Sequence, residues 1–352
     1  MAKILLSDDG IAFDGTTPDR GPLGGAESAV VALLEALAAR GHEVSARNHC
    51  NAPVTHKGVG WAPLDSFPEH EIDLYIANRN AALLRAPLRA RRSVFWIHNP
   101  AHYLTKLRHL VPLCTARPAI VFSGAYHAST LPRWVPIPAA GRVIIPYGID
   151  ARFLDAEPLE TAPPARAIFT SNPLRGLSWL LDLWEREIAP QAPAAELHVF
   201  SGAATYGSAA VRKSDAMGAV LAKAQALAGC GVRLRDPVPK SALIGELRQA
   251  RVMPYGGDPG ETFCLALGEA QAMGVPCVVK PVGSVGERVR DGQTGTITTD
   301  DHVFASNVVR LLTDDSHWRA QHLAALALQR SWTWDDAAKA FERFLVPSHS
   351  RA

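Results

Sequence analysis

Short apolar runs alternate along this chain with segments of helical period, the pattern of a parallel α/β sheet. Lys3–Ser7 reads as a buried strand, followed by a Gly/Asp/Pro-rich loop from Asp8 to Gly25. Ala26–Arg40 carries strong helix formers with apolar residues at helical spacing, Gly41 stands where a left-handed C-cap glycine belongs, and His42–Ala46 opens the next strand. Leu74–Ala77, Ser93–Ile97, Ala119–Ser123 and Val143–Ile145 read as further strands. Periodicity lapses over the Pro/Ala/Glu-rich stretch 146–164, a linker signature. The alternation then restarts: strands at Ala167–Ser171, Glu196–Ser201, Val232–Arg235, Arg251–Pro254 and Pro276–Val279, with helices at Leu177–Ile188, Ala216–Ala228, Lys240–Gln249 and one beginning near Glu261. The pattern divides the chain into residues 1–150, residues 165–330 and a closing helix at 331–346. Two Rossmann-like domains of this kind, facing one another, leave a cleft at their strand C-termini.

Length agrees: 352 residues exceed one ordinary core and suit two domains. The net charge of +2 gives no bulk pull toward nucleic acid, but the charges are unevenly placed. Between Asp73 and Asp150 there is no acidic residue, while Arg79, Arg85, Arg89, Arg91, Arg92, Lys106, Arg108, Arg117, Arg133 and Arg142 fall there. Such a stretch either attracts an anionic surface, a lipid leaflet or a phosphorylated acceptor, or is a solvated face balancing the acids of 8–19 and 65–73. Five cysteines (Cys50, Cys114, Cys230, Cys264, Cys277), none at CxxC spacing, suit a reducing compartment and argue against a disulfide frame or a zinc site. The N-terminal apolar run is too short for a signal peptide or a membrane span, so cytosolic residence, peripheral on a membrane at most, is expected.

The segment most informative about chemistry is GETFCLALGEAQAMGVPCVV at 260–279. On a helix starting near Glu261, the eight-residue step to Glu269 turns about 800°, so both carboxylates fall within about 80° of one face and about 12 Å apart along the axis. That distance is too long for an acid and a base on one atom and suits one extended ligand held at two places. The amides of Thr262, Phe263, Cys264 and Leu265 at the expected helix start would form an anion site between them. Taken alone, the pair also fits a first-turn glutamate complementing the dipole and a solvent-facing one further on.

In its surroundings the segment resembles the E-x7-E motif of the family 4 retaining glycosyltransferases of the GT-B fold. The likeness extends in order along nearly the whole chain: Gly24-Gly25-Ala26-Glu27 is similar to that family's GG loop, and Trp96-Ile97-His98-Asn99 to its strand-end histidine. Pro146-Tyr147-Gly148-Ile149-Asp150 with Phe153 matches the entry to the linker. Ser171-Asn172-Pro173-Leu174-Arg175-Gly176-Leu177 resembles the basic phosphate grip, and Trp332-Thr333-Trp334-Asp335 with the helix after it, within 331–346, resembles the closing aromatic-rich helix that crosses back to the first domain. The resemblance implies an α/β GT-B architecture and transfer of a sugar, with retention, from a nucleotide diphosphate sugar to a hydroxyl acceptor in glycolipid, lipopolysaccharide or exopolysaccharide synthesis. It further implies that Glu261 binds hydroxyls of the transferred sugar, Glu269 the ribose, Arg175 the diphosphate with Ser171 and Asn172 as lesser donors, and that His98 lies near the donor sugar. Gly24 and Gly25 would let backbone approach a phosphate or the acceptor. Glu27 faces the acceptor or complements the helix dipole, and the sequence leaves both open.

Two positions depart from the pattern: the arginine usual about five residues before the grip is Thr170, and the glycine usual after E-x-F is Cys264. The resemblance also implies no cofactor and no metal, the nucleotide sugar being a substrate, and the sequence is consistent with that: it carries no D-x-D and no His/Asp cluster at metal spacing. The partners expected are that donor, a hydroxyl acceptor of lipid-linked or anionic character, and a membrane surface at the Arg-rich stretch, with no nucleic acid. A nucleotide-sugar 2-epimerase and a non-catalytic nucleotide-sugar-binding protein share the architecture. A dinucleotide oxidoreductase fits poorly, because Gly21-x-x-Gly24-Gly25 lacks the GxGxxG spacing.

Overall fold

The structure, a computed structural model, describes residues 1–202 and 214–346. Contacts divide the chain into two compact units. Unit 1 comprises Met1–Thr17, Gly25–Gly148 and the residues from Thr333 onward; unit 2 comprises Pro18–Gly24 and Ile149–Trp332. The chain leaves unit 1 after Thr17 and returns to it between Gly24 and Gly25, inside a motif the sequence presents as one piece.

In unit 1, β1 (Lys3–Asp8) leads to α1 (Gly25–Ala39), then β2 (Glu43–Asn48), β3 (Val54–His56), β4 (Val59–Pro63), β5 (Ile72–Asn78) and β6 (Ala90–Trp96). These are followed by α2 (Leu107–Ala116), β7 (Ala119–Phe122), α3 (Ala125–Ser129) and β8 (Arg142–Ile144). The sheet order is β3-β4-β2-β1-β5-β6-β7-β8, parallel throughout except for the β3–β4 hairpin. That hairpin escaped the reading by strand period; Lys57 and Gly58 turn it, both at positive φ (44° and 78°), as a tight two-residue turn requires. Helix α2 also escaped, because Pro112 lies inside it.

In unit 2, β9 (Arg166–Phe169), α4 (Leu177–Leu183), β10 (Glu196–Phe200), α5 (Ser214–Ala226), β11 (Val232–Arg235), α6 (Lys240–Arg248) and β12 (Met253–Tyr255) follow in turn. Then come α7 (Leu265–Ala272), β13 (Cys277–Val279), β14 (Gly295–Ile297), α8 (Asp301–Thr313) and α9 (Asp315–Gln329). Two three-stranded parallel sheets, β11-β10-β9 and β12-β13-β14, join through a bridge between Ala167 and Val252. The joined order is the doubly wound one, and its inner strands β10, β9, β12 and β13 are almost wholly buried, as helices on both faces demand. Helices α8 and α9 start at aspartate caps: Asp300 accepts from the amide of Val303, and Asp314 from that of His317.

The chain closes with α10 (Trp334–Glu342), which belongs to unit 1 and packs on α1. Thr333 and Asp336 form a capping box at its start. Trp334 stacks on Tyr147 (5.9 Å between centroids), Phe341 meets Trp96 edge-on (5.5 Å), and Arg40 pairs with Glu342 and Asp335. Gly148 is what lets this helix close: a Cβ there would stand 2.2 Å from the amide nitrogen of Trp334 and 2.5 Å from the carbonyl carbon of Thr333.

Candidate functional site

In each unit the strand order reverses between two neighbouring strands, β1 and β5 in unit 1, β9 and β12 in unit 2. Crevices at such reversals, beyond the strand C-termini, are where open parallel sheets bind ligands. Most of the candidate residues lie at one or other of them.

In unit 2 the residues leaving β9 form a tight turn. Asn172 Oδ1 accepts from the amide of Leu174 (2.9 Å), and its carbonyl accepts from the amide of Arg175. Gly176 follows at φ 79°, a left-handed turn that begins α4 and brings Arg175 round to the segment after β12. Asn172 is thus held as the former of this turn. Arg175 Nη1 donates to Glu261 Oε1 at 2.9 Å, and Tyr255, the last residue of β12, donates its hydroxyl to the same oxygen at 2.8 Å. Since the tyrosine proton is used there, the 3.0 Å contact to Ser171 makes Ser171 the donor to Tyr255. The sequence singles out Ser171 as a lesser phosphate donor, and here its hydroxyl turns to Tyr255; Tyr255 was missed and could have been found as a polar-tipped aromatic at a strand C-terminus.

Glu261 is 1% exposed, while the Arg175 side chain is 43% exposed. Burial pushes the Glu261 carboxyl above its ordinary range, against the opposing pull of Arg175 and Tyr255. Its second oxygen, Oε2, is buried without a hydrogen-bond partner among the described residues. The thiol of Cys264 lies beside this carboxylate.

The helix expected near Glu261 starts at Leu265. Cys264 caps it in the left-handed region (φ 62°, ψ 72°), so Glu261, Thr262 and Phe263 belong to the loop before it. Two corrections follow. The glutamates are not two positions on one helix: Glu261 sits on a loop pinned by Ser284, whose amide donates to the Glu261 carbonyl, and only Glu269 is helical. The open amides of the helix start begin at its N-cap Cys264 and run on through Leu265, and Thr262 and Phe263 are not among them. The helix cannot begin earlier, because a left-handed residue interrupts the αR run. This backbone also accounts for the glycine usual at position 264.

Glu269 pairs with Lys240 at the start of α6, a cation that sequence reasoning missed. A lysine on a helix's first turn opposes the macrodipole, and that was the available signal. The two line a recess of about 100 Å³ with Pro22, Leu23, Thr170 and Pro237. Thr170 thus faces Glu269's recess in place of the expected arginine.

In unit 1 His98 follows β6 and is buried. Asn78 donates its amide to Asp8, so its carbonyl oxygen faces His98 Nε2 at 2.7 Å and that nitrogen carries the proton; Nδ1 then accepts from the Tyr147 hydroxyl. Burial, reinforced by the nearby Arg79 charge, pushes the His98 pKa well down and keeps the ring neutral. Glu27 lies in the first turn of α1 and pairs with Arg79 Nη1 at 2.8 Å, and Arg79 also pairs with Asp8 at 2.9 Å. Burial raises the Asp8 carboxyl, opposed chiefly by Arg79. Arg79 itself is held left-handed (φ 53°), as sparsely populated conformations at functional sites often are. Asp8 and Arg79 were not singled out from sequence. Gly25 opens α1, and a Cβ there would meet nothing within 4 Å, so no neighbour in the chain demands a glycine. Gly24 lies across the unit break, in unit 2. No three His, Cys, Asp or Glu side chains converge to hold a metal among the described residues, and all five cysteines are free.

Comparison with known proteins meets this geometry at unit 2. Residues 166–314 match the family model "Glycosyl transferases group 1". The D-inositol 3-phosphate glycosyltransferase of Corynebacterium diphtheriae is 34% identical over 113 residues, 32% of this chain and 26% of that protein. The protein of the same name from Thermobifida fusca is 35% identical over 96 residues, 27% of this chain and 22% of its own. The matched stretch therefore spans about a quarter of these relatives' length. Among solved structures, sucrose-phosphate synthase from Thermosynechococcus elongatus superposes with TM-score 0.73 at 17% identity, over 97% of this chain and 98% of that one. Anabaena Alr3699/HepE, solved with UDP-glucose, gives 0.70 at 15% identity over 98% and 99%. The chain thus has the α/β fold of the GT-B glycosyltransferases, and its residues 166–314 match the glycosyl transferases of group 1.

Proposed function

We propose that this protein transfers a hexosyl group from a nucleoside diphosphate sugar to a hydroxyl acceptor, with retention of configuration and without a metal ion in the reaction. The observation that carries the reading is the Glu261 carboxylate: buried at a strand-order reversal, one oxygen held by Arg175 and Tyr255, the other unpartnered. Leaving a buried acceptor unmet costs about 1–3 kcal/mol, a cost that a sugar hydroxyl donating to Oε2 would relieve.

The other roles follow from position. The Arg175 guanidinium would exchange part of its pairing with Glu261 for the diphosphate, a charge-assisted contact that strengthens as the leaving group gains charge. The first-turn amides of α7, from Leu265 onward, would receive phosphate oxygens. Glu269 would turn from Lys240 to the ribose hydroxyls, leaving Lys240 to face the nucleotide. The Thr170–Glu269 recess would take the nucleoside. The acceptor hydroxyl would attack on the face the diphosphate leaves, with a diphosphate oxygen receiving its proton. Positioning and electrostatics then supply the rate without a protein nucleophile. Neutral His98, oriented by Asn78 and Tyr147, would offer a ligand a hydrogen-bonding group and not a base. The Asp8–Arg79–Glu27 cluster and Gly25 would meet the acceptor, and the phosphorylated polyol in the curated relatives' name favours an acceptor bearing negative charge. Glycolipid and envelope polysaccharide synthesis are the processes that use such transfers.

The test is thermal unfolding with a panel of nucleoside diphosphates beside Glu269→Ala. Ligand at about a hundred times its Kd should stabilise by about 2.7 kcal/mol. A shift with one base that is lost in the variant supports the donor assignment. No shift with any nucleotide overturns it, and product analysis showing inversion overturns the stereochemical part.

A further inference from the structure

We propose that the outer face of α2 is a docking surface for an anionic lipid bilayer. Helix α2 is apolar on two sides. His109, Pro112 and Leu113 are buried against the short turns Ala81–Arg85 and Ala101–Thr105. Leu107 and Val111 point away from that core, 75% and 45% exposed, and Cys114 is exposed beside them. At about 100° per residue, positions 107, 111 and 114 form one stripe about 60° wide. Arg108 falls about 100° to one side of Leu107, Lys106 precedes the helix as its extended N-cap, and Arg117 closes the C-terminal end; all three are exposed. Apolar side chains between flanking cations with long aliphatic stems are what an interfacial helix presents to headgroups and acyl chains.

The surroundings narrow the occupant. Of the eight large hydrophobic residues exposed among the described residues, four (Leu107, Val111, Trp134 and Ile144) fall within 74–149, the stretch without an acidic residue. Within it Arg79, Arg91 and Arg142 are engaged by Asp8 and Glu27, by Glu71 and Asp73, and by the carbonyls of Leu131 and Pro132. Lys106 and Arg117 are not so spent and stand in solvent beside the stripe, and Arg108, whose Nε donates to His109 Nε2 at 3.1 Å, meets no carboxylate among the described residues and keeps its charge unanswered. A second protein surface would satisfy the apolar stripe; apolar stripe and unanswered positive field together are matched by an anionic leaflet. Among the described residues no helix is long and apolar enough to cross a membrane, so the contact is interfacial.

The placement has a consequence for the site. His109, on the inner face of α2, packs edge-on against Tyr103 (5.1 Å), and Tyr103 donates its hydroxyl to the carbonyl of Arg79 (2.8 Å). The patch therefore sits two contacts from the Asp8–Arg79–Glu27 cluster, and docking would bring that cluster to the bilayer surface.

The test needs no nucleotide and stands apart from the transfer reaction. Purified protein is sedimented with phosphatidylcholine vesicles and with vesicles containing about a third phosphatidylglycerol, at low and high salt. Binding is expected to the anionic vesicles only, to fall tenfold or more between 50 and 500 mM salt, and to weaken about fivefold for each of Lys106→Ala and Arg108→Ala. Leu107→Ser with Val111→Ser should abolish it with an unchanged melt, since both side chains are exposed. An environment-sensitive dye on Cys114 should shift to the blue with anionic vesicles, since the other cysteines are buried or half-buried. No binding to anionic vesicles, equal binding to neutral ones, or full binding by the double serine variant overturns the proposal. So does a concentration-dependent dimer that the double variant dissolves.

Discussion

Replacing Glu261 by glutamine should make the protein more stable at neutral pH and nearly inactive. The carboxylate is 1% exposed, and burial raises its pKa even with Arg175 and Tyr255 on Oε1. Glutamine keeps that oxygen, so the contacts of 2.8 Å to Tyr255 and 2.9 Å to Arg175 can persist. What is lost is the charge in the Arg175 pair, about 0–1 kcal/mol for a partner as exposed as this one. What is gained is relief of a buried anion, about 1–3 kcal/mol; the glutamine NH2 that takes the place of Oε2 stays as unmet as that oxygen was, so the charge alone counts. The gain wins by about 1 kcal/mol, which for a unit of this size raises Tm by about 2–4 °C. The sign follows from protonation. A carboxyl whose folded pKa is raised supports the fold fully below its unfolded value, and that support is lost as pH rises through the folded pKa. The advantage of Glu261→Gln should therefore be small near pH 4 and grow to its full size above the raised pKa. Turnover should fall about 100-fold, as when one transition-state contact is removed. Melts from pH 4 to 8 with paired rate measurements check this. A lower Tm than wild type at pH 7, or a difference constant with pH, would refute the reasoning.

Gly148→Ala puts a Cβ 2.2 Å from the Trp334 nitrogen, and neither backbone can yield cheaply; a loss above about 2 kcal/mol and a weakened Trp334–Tyr147 stack are expected, read by denaturant titration and near-UV dichroism. Cys264→Gly removes left-handed strain of about 1 kcal/mol but also a buried thiol, so its stability should stay within about 1 kcal/mol of wild type, whereas β-branched Cys264→Val should cost more than about 2 kcal/mol, by the same titration. His98 should show no titration by NMR between pH 5 and 8. Because its folded pKa is depressed, it contributes stability above its unfolded value near 6.5 that is lost as pH falls toward the folded pKa; His98→Gln should flatten that part of the pH–stability curve. Lys240→Met leaves Glu269 in its recess without its cation and should weaken nucleoside diphosphate binding tenfold or more, measured by calorimetry.

The alternation of buried runs and helical segments was enough to read two parallel α/β halves, because parallel strands covered on both faces are continuous apolar runs and their helices keep a 3.6-residue period. Gly41 was legible as a C-cap glycine and has the positive φ that role needs, whereas the reasons for Gly176, a positive φ, and Gly148, a backbone contact, come only from the structure. The Lys57-Gly58 hairpin and Pro-bearing α2 were not read, since each hides its period behind a turn or a helix breaker.

The site divides in the same way. Glu261, Arg175, Glu269 and His98 stand out in the sequence because their motifs are local. Which group each one meets is set by loops that close over tens of residues. Tyr255 and Arg175, 80 positions apart in the numbering, converge on one oxygen of Glu261. Lys240 reaches Glu269 from the preceding helix, and Asp8 reaches Arg79 across neighbouring strands. The start of α7 was also a tertiary decision: Cys264 is left-handed because the loop bearing Glu261 is pinned from Ser284, not because of any propensity in ETFC. Period and motif are properties of neighbouring residues and survive in one dimension. Pairing, burial and the protonation they impose arise only when distant segments share a low-dielectric space.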